Sequence, residues 1–407
     1  MRRRQRLCDF ALRDAKDGKG FSRAAQQNLG QSGGAGVFRS HAAPRRCAIC
    51  RKTETPRKED FMRSFPNGNK GLLAFAALVA CAGTASAQSA VTLYGVVDLG
   101  LEQTRLSPGT STTRLTSGID SGSRWGLKGT EDLGGGLSAS FQIESGFDAS
   151  TGAGGGAGGG LMFNRQSWVG LNGGFGSVKL GRQYTPYFSA QGAIDPFGLG
   201  FVGDASGMIA VFRHYGVRMN NTINYSTPSF GGFSGEVAYG LGEVAGSHST
   251  GSQFGLQGTY EGGPLTAVAA YHKQGQVAAG ADAGDNRSAL VGAAYDFKVV
   301  KLHGAFADNR DTSAGGATTG RSRDLMLGVS APVGAATLMA SYMQHQDRLA
   351  SNADSRFWGI GASYPISKRT NFYSSYSRIT NDAGGALGSG AAGVNVSWLN
   401  FGIRHKF

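Results

Sequence analysis

The chain has 407 residues, 67 of them glycine and only 10 proline, and no run approaches the roughly 18 uninterrupted apolar residues of a transmembrane helix. The net charge of +13 would suit a nucleic-acid partner, but residues 1–87 carry 17 Lys+Arg against 6 Asp+Glu and residues 88–407 only 23 against 21, so no nucleic acid is expected. Cys8, Cys47, Cys50 and Cys81 also precede residue 88, which leaves the remainder without a disulfide or a thiolate metal site; no metal and no cofactor are expected.

Residues 1–61 are basic and Gly/Ser-rich, with no apolar periodicity. Cys47-Ala-Ile-Cys50 has no second pair and no histidine spacing, so it does not read as a zinc or redox site. Gly30-Gln31-Ser32-Gly33-Gly34 matches G-x-S-x-G without the strand and helix that motif needs. Met62 then opens a second beginning. Arg63 and Lys70 supply positive charge, residues 71–83 form a short apolar core, and Ala85-Ser86-Ala87 is an A-x-A site. Together these predict a signal peptide over 62–87, cleaved between Ala87 and Gln88. On that reading 1–61 is a misassigned extension. A competing lipoprotein box, Leu78-Val79-Ala80-Cys81, would instead acylate Cys81.

From residue 88 the period is two. In residues 91–101, Val91, Leu93, Val97, Leu99 and Leu101 share one face, and Thr92, Tyr94 and Asp98 the other. In 123–129, Trp125 and Leu127 oppose Arg124 and Lys128. A glycine turn at 132–136 leads to a return strand, 137–147, with Phe141, Ile143 and Phe147 opposite Gln142 and Glu144. Residues 148–160 are mostly Gly and Ala and read as a flexible loop. Strands over 164–172 and 178–183 follow. The pattern then breaks over 184–218, a structureless stretch of a size that is usually functional. Gly198-Leu199-Gly200-Phe201-Val202-Gly203 is a formal G-x-G-x-x-G, but no helical pattern follows it.

Eleven more strands are predicted, at about 220–228, 233–242, 252–262, 264–275, 286–297, 299–309, 322–331, 335–345, 355–365, 368–380 and 394–407. Short turns alternate with longer polar stretches at 243–251, 276–285, 310–321, 346–354 and 381–393. Such alternation fits an up-and-down barrel with one rim toward the periplasm and one outward. Five strands before the long loop and eleven after make sixteen. An even antiparallel set closes without an edge, and sixteen strands leave an aqueous lumen. The fold expected is therefore all-β: a 16-stranded antiparallel transmembrane β-barrel. Tyr94, Trp125, Trp168, Tyr239, Tyr260, Tyr271, Tyr295, Tyr342, Trp358, Tyr364, Tyr376 and Trp398 are expected as interfacial girdles.

The last strand alternates as strictly as the first. Leu399, Phe401, Ile403 and His405 share the parity of Phe407, and Asn400, Gly402, Arg404 and Lys406 form the other face. A terminal Phe407 behind alternating apolar residues resembles the signal by which outer-membrane barrels are recognised for insertion. A half-buried strand of a soluble β-sandwich is the alternative.

VTLYGVVDLGL at 91–101, SRWGLKGTEDLGGGL at 123–137, RQSWVGL at 165–171, LGRQY at 180–184 and GIRHKF at 402–407 together resemble the general porins of β-proteobacterial outer membranes. The resemblance spans about 88–407. It implies a homotrimer of water-filled barrels in the cell outer membrane, in contact with outer-membrane lipid and lipopolysaccharide. Insertion by the barrel-assembly machinery would use Phe407, Ile403 and Phe401. It also implies that the third outer loop, 184–217, folds inward as an inward-folded constriction loop. Asp195-Pro196-Phe197-Gly198 departs from the Pro-Glu-Phe-Gly type of tip in enterobacterial relatives.

A pore of this kind sets its function by width and by the field at its narrowest point. The candidate basic wall is Arg124, Lys128, Arg165, Arg182 and Arg218. Alternation turns Arg124 and Lys128 away from Trp125 and Leu127, Arg165 away from Trp168, and Arg218 onto the face of Asn220, Thr222 and Asn224. Arg182 shares the parity of Leu180, so only the motif LGRQY places it inward, and a bulge is required. Asp195 and Asp204 are the candidate acidic loop residues. Inward Asp98 and Glu144 reduce the positive excess, so a weak anion preference is expected for ions and small hydrophilic solutes. No catalytic residue is expected: His214, His248, His272, His303, His345 and His405 are scattered, with no H-E-x-x-H. A substrate-specific channel or a barrel adhesin remains an alternative.

Overall fold

The computed structural model describes residues 90–154, 162–204, 216–349 and 351–407. The signal segment 62–87, with Ala87 and Gln88, the extension 1–61, all four cysteines and His214 lie outside the described residues.

The first half contains β1 (Ala90–Ser107), β2 (Ser111–Ser117), β3 (Arg124–Gly134), β4 (Leu137–Gly146), β5 (Gln166–Gly173), β6 (Gly176–Tyr184) and helix α1 (Pro186–Ile194). Next come β7 (Arg218–Ser226), β8 (Phe233–Gly240), β9 (Gln253–Gly262), β10 (Leu265–Ala278), β11 (Ala281–Asp296) and β12 (Lys301–Thr312). The last are β13 (Thr318–Val333), β14 (Ala336–Asp347), β15 (Ser355–Pro365), β16 (Thr370–Asn381) and β17 (Asn395–Lys406).

Every neighbour pairs antiparallel, and β1 pairs with β17 from Val96↔Lys406 to Ser107↔Asn395, which closes the sheet on itself. The lower half of β1 pairs with β3 and its upper half with β2. β2 and β3 are thus one stave broken at 118–123, and the barrel has sixteen staves. The seam ends on a reciprocal pair, Gly95 N to Phe407 O and Phe407 N to Gly95 O, both 3.1 Å.

Facing follows the two-residue period. On β17, Phe401 is 59% exposed while its neighbour Asn400 is 1% exposed. Cross-strand pairs Leu99↔Ile403 and Leu101↔Phe401 belong to the same outward apolar band. An outward face this apolar is stable only against hydrocarbon.

Several expectations need correction. β2 was not expected, and it makes 90–117 a long hairpin. Residues 276–285 and 310–321 are mostly strand, because β10–β11 and β12–β13 run on past the apolar band. Tyr94, Trp168 and Trp398 are not girdle residues. Trp168 pairs across from Gln142, on the parity of buried Gln166. Lys179 Nζ lies 4.8 Å from its ring centre. Trp398 packs on the buried cluster inside the barrel.

The stretch 184–218 is not structureless. Thr185 Oγ1 accepts a hydrogen bond from Phe188 N at 3.1 Å, and Pro186 follows it as the first helical residue. An N-cap threonine before proline is a helix-start signal. The helix packs inside the barrel against β9, β10 and β11. Tyr187, Ala190 and Ile194 enter a cluster with Val268, Leu290 and Ala305. At the helix C-terminus His303 Nδ1 lies 2.9 Å from Ile194 O.

The helix and the chain beyond it follow a track of glycines on alternate strands. A methyl group at Gly255 of β9 would meet Pro186, at Gly292 of β11 Ile194, at Gly328 of β13 Pro196, and at Gly361 of β15 Phe197. The loop seats itself where the wall has no side chain. Ser341 Oγ then donates to Gly203 O at 2.6 Å. Gly292→Leu should cost about 1–3 kcal/mol through overpacking and loosen α1 from the wall. Limited proteolysis of the folded barrel would show new cleavage within 184–217; an unchanged digestion pattern would refute the track.

Candidate functional site

The second stave is broken at 118–123, and that segment leaves the wall while β1 stays paired above and below it. Gly118 takes φ of 78° and turns the chain inward, where a side chain would be strained. Phe201 N donates to Ile119 O at 2.6 Å, so the tip of the long loop docks on this inward segment. Ile119, Phe197, Phe201, Met339 and Tyr373 close over the contact. The docked loop and the wall from β3 to β7 enclose a cavity of about 910 Å³.

Four guanidinium groups line that cavity: Arg124, Arg165, Arg182 and Arg218. Arg124 opens β3, and its Nη1 donates to Ser121 Oγ at 2.9 Å and to Gly122 O at 2.8 Å. Arg165 does not gain its direction from strand alternation. It precedes β5, and its backbone N donates to Glu144 O at 3.1 Å. Its Nε meets Glu144 Oε1 at 2.7 Å. Arg124 Nε lies 3.4 Å from the other oxygen of the same carboxylate. Glu144 is buried, and Tyr94 Oη also donates to it at 2.9 Å. One carboxylate thus holds two cations side by side.

Arg182 lies at a register shift between Gly181 and Gln183 on the β7 side. Gly181 takes φ of 129°. This is the bulge that an inward Arg182 requires. Its Nε donates to Asn164 O at 2.7 Å, and its Nη1 reaches Asn220 Oδ1. Arg218 opens β7, with its guanidinium 4.7 Å from the centre of the Tyr184 ring. Tyr184 Oη accepts from Arg165 at 3.0 Å and from Arg218 at 3.2 Å. Tyr184 also stacks on Phe188 at 4.9 Å, which ties the cationic wall to the helix.

Lys128 is not in this cavity. It faces the lumen four residues further along β3, with Nζ 5.4 Å from the centre of the Tyr94 ring. Asp195 does not reach it either. It caps α1, is buried, and its Oδ2 accepts from Leu199 N at 2.7 Å. Asp204 does line the cavity, together with Asp120 and Asp148. Asp120 Oδ1 pairs with Arg404 at 2.9 Å, and Asn371 Nδ2 donates to its other oxygen at 3.1 Å. The Ser150 hydroxyl and amide both donate to Asp148, which holds its carboxyl below the usual range. Asp148 therefore stays negative across neutral pH. Among the described residues, four guanidinium groups and three carboxylates line one cavity.

Sequence reasoning missed Asp120, Asp148 and Tyr184 as members of the site. Asp120 lies in a segment with no period to read. Tyr184 stands at the end of a strand whose bulge reverses the parity.

The family model described as Gram-negative porin matches residues 74–384. The chain is 35% identical over 360 residues to outer membrane porin protein 32 of Delftia acidovorans, covering 83% of this chain and 99% of that protein. It is 33% identical over 399 residues to an outer membrane porin protein of Bordetella pertussis, covering 83% and 100%. The solved anion-selective porin from Comamonas acidovorans superposes with a TM-score of 0.71 at 32% identity, over 79% of this chain and all of that one. The ring of sixteen staves is sealed, apolar without and charged within, and the chain belongs to the Gram-negative porin family of outer-membrane channels.

Proposed function

We propose that this outer-membrane porin passes small ions and hydrophilic solutes with a weak preference for anions, and that it works as a homotrimer. The observation that carries the preference is the convergence of Arg124, Arg165, Arg182 and Arg218 on one cavity. Two of them share a single carboxylate, Glu144, which leaves positive charge in excess along that wall. Asp204 and Asp120 are the negative side of the field. The solved relative from Comamonas acidovorans is an anion-selective porin, which supports the same sign.

Lys128, and Lys179 over the ring of Trp168, would form a vestibule below the constriction, nearer the short-turn rim. Phe407, Ile403 and Phe401 would present the assembly signal on the outward face, since all three are exposed there. Export would use residues 62–87, with cleavage between Ala87 and Gln88.

Purified protein in a planar bilayer under a KCl gradient tests the pore. Openings in groups of three, with a reversal potential slightly on the anion side, are the expected record; single uncorrelated steps would count against the trimer. Arg124→Ala with Arg165→Ala should move the reversal potential toward the cation side, and an unchanged potential would remove these residues from the selectivity site. Glu144→Gln should move it the other way. The same change should lower stability by about 1–3 kcal/mol, because two guanidinium groups lose their partner. Thermal unfolding of the purified protein measures that loss.

A further inference from the structure

The inward segment 118–123 hangs on one residue of the first strand. Asp98 of β1 is 0% exposed and does not line the cavity. Its backbone holds both ends of the segment. Gly118 N donates to Asp98 O at 2.9 Å. Ser123 Oγ donates to the same oxygen and accepts from Asp98 N, both at 3.1 Å. Its carboxylate holds the middle, where Ser121 N donates to Oδ2 at 2.7 Å. Beginning, middle and end of the segment converge on a single residue.

The other carboxylate oxygen, Oδ1, accepts from Tyr373 Oη at 2.5 Å, the short distance of a hydrogen bond to a charged acceptor. Tyr373 stands on β16, on the far side of the seam. It pairs across from Gly402 of β17, and Gly402 pairs across from Gly100 of β1. A methyl group at Gly402 would lie 2.3 Å from the Tyr373 hydroxyl, and one at Gly100 3.0 Å from it. Two glycines thus leave the path by which the ring reaches Asp98. The same ring meets Phe201 of the loop tip edge to face, with ring centres 5.4 Å apart.

The segment hangs on Asp98, the loop tip leans on Tyr373, and these two side chains bind each other. Neutral donors hold the Asp98 carboxylate, while Arg404 pairs with Asp120. A buried charge is stable only with its hydrogen-bond partners in place, so loss of one donor weakens the whole set.

We propose that Asp98 and Tyr373 are the positioning pair of the constriction: joined across the seam, they hold 118–123 and the loop tip to the wall and so fix the width of the aperture. The proposal rests on the pore reading, and not on its preference for anions. Tyr373, like Asp98, does not line the cavity, so the pair acts through the segment and the loop rather than by touching a solute. A segment freed from Asp98 has the wall behind it and the lumen before it, so it moves inward and the aperture narrows.

Single-channel conductance in a planar bilayer in KCl tests the pair. Tyr373→Phe removes one hydroxyl and no charge. Its openings should be smaller than those of the wild type by at least about one fifth, with frequent partial closures, because flux follows the narrowest point. Ser355→Ala is the control. Ser355 is buried, does not line the cavity, and donates to Asn381 Oδ1 at 2.6 Å, so the change removes a hydrogen bond of similar length elsewhere in the wall. It should conduct as the wild type does. Unchanged or raised conductance in Tyr373→Phe, or an equal fall in Ser355→Ala, would overturn the pair and leave the channel standing. If Tyr373→Phe does not insert, Ser123→Ala, which removes the side-chain tie to the Asp98 backbone, repeats the measurement with the same two outcomes. A wild type that does not conduct removes the pore and the pair together; one that conducts without anion preference counts against the selectivity and leaves the conductance comparison intact.

Discussion

Inside a bilayer an unpaired backbone amide has no water to turn to, and the cost is several kcal/mol for each. The sheet must therefore have no edge. β1 and β17 meet that demand from opposite ends of the described barrel, over the register Val96↔Lys406 to Ser107↔Asn395. The broken second stave obeys the same demand, since β1 keeps a partner above the break in β2 and below it in β3. Six residues between them are released inward without opening the wall.

That release makes the pore. The segment 118–123 gives the incoming loop something to dock on, and α1 anchors the loop to the opposite wall through Ile194 and His303. Arg124 begins its strand where the inward segment ends, and it keeps the lumen-facing parity of Lys128. Arg165 and Arg218 likewise stand at strand ends, and Arg182 at a bulge. Regular pairing would have sent some of these side chains into lipid. Irregularities in the ladder are where the barrel aims its charge.

The same division explains what the sequence made legible. Sixteen staves and the outward band of Leu399, Phe401 and Ile403 follow from a period of two, which survives wherever one face meets lipid. Trp168 and Trp398 were misread because an aromatic ring suits a lumen wall as well as an interface. β2 escaped notice because its residues, STTRLTS, are mostly exposed on both faces and carry little contrast. The helix was announced by Thr185-Pro186, yet its faces are too similar for periodicity to show it. Asp195 was placed in the throat by its charge, whereas its position after α1 made it a cap. Charge locates a candidate; backbone geometry decides where it points.

The glycine track gives the lumen a second kind of inheritance. Gly255, Gly292, Gly328 and Gly361 matter for what they lack, since a side chain at each would meet the helix or the loop. A single added methyl there would lift the loop without altering any charge. The seating of the loop and the charge of the wall thus rest on separate sets of positions. A lineage could widen its diet of permeants through one set while keeping its ionic preference in the other.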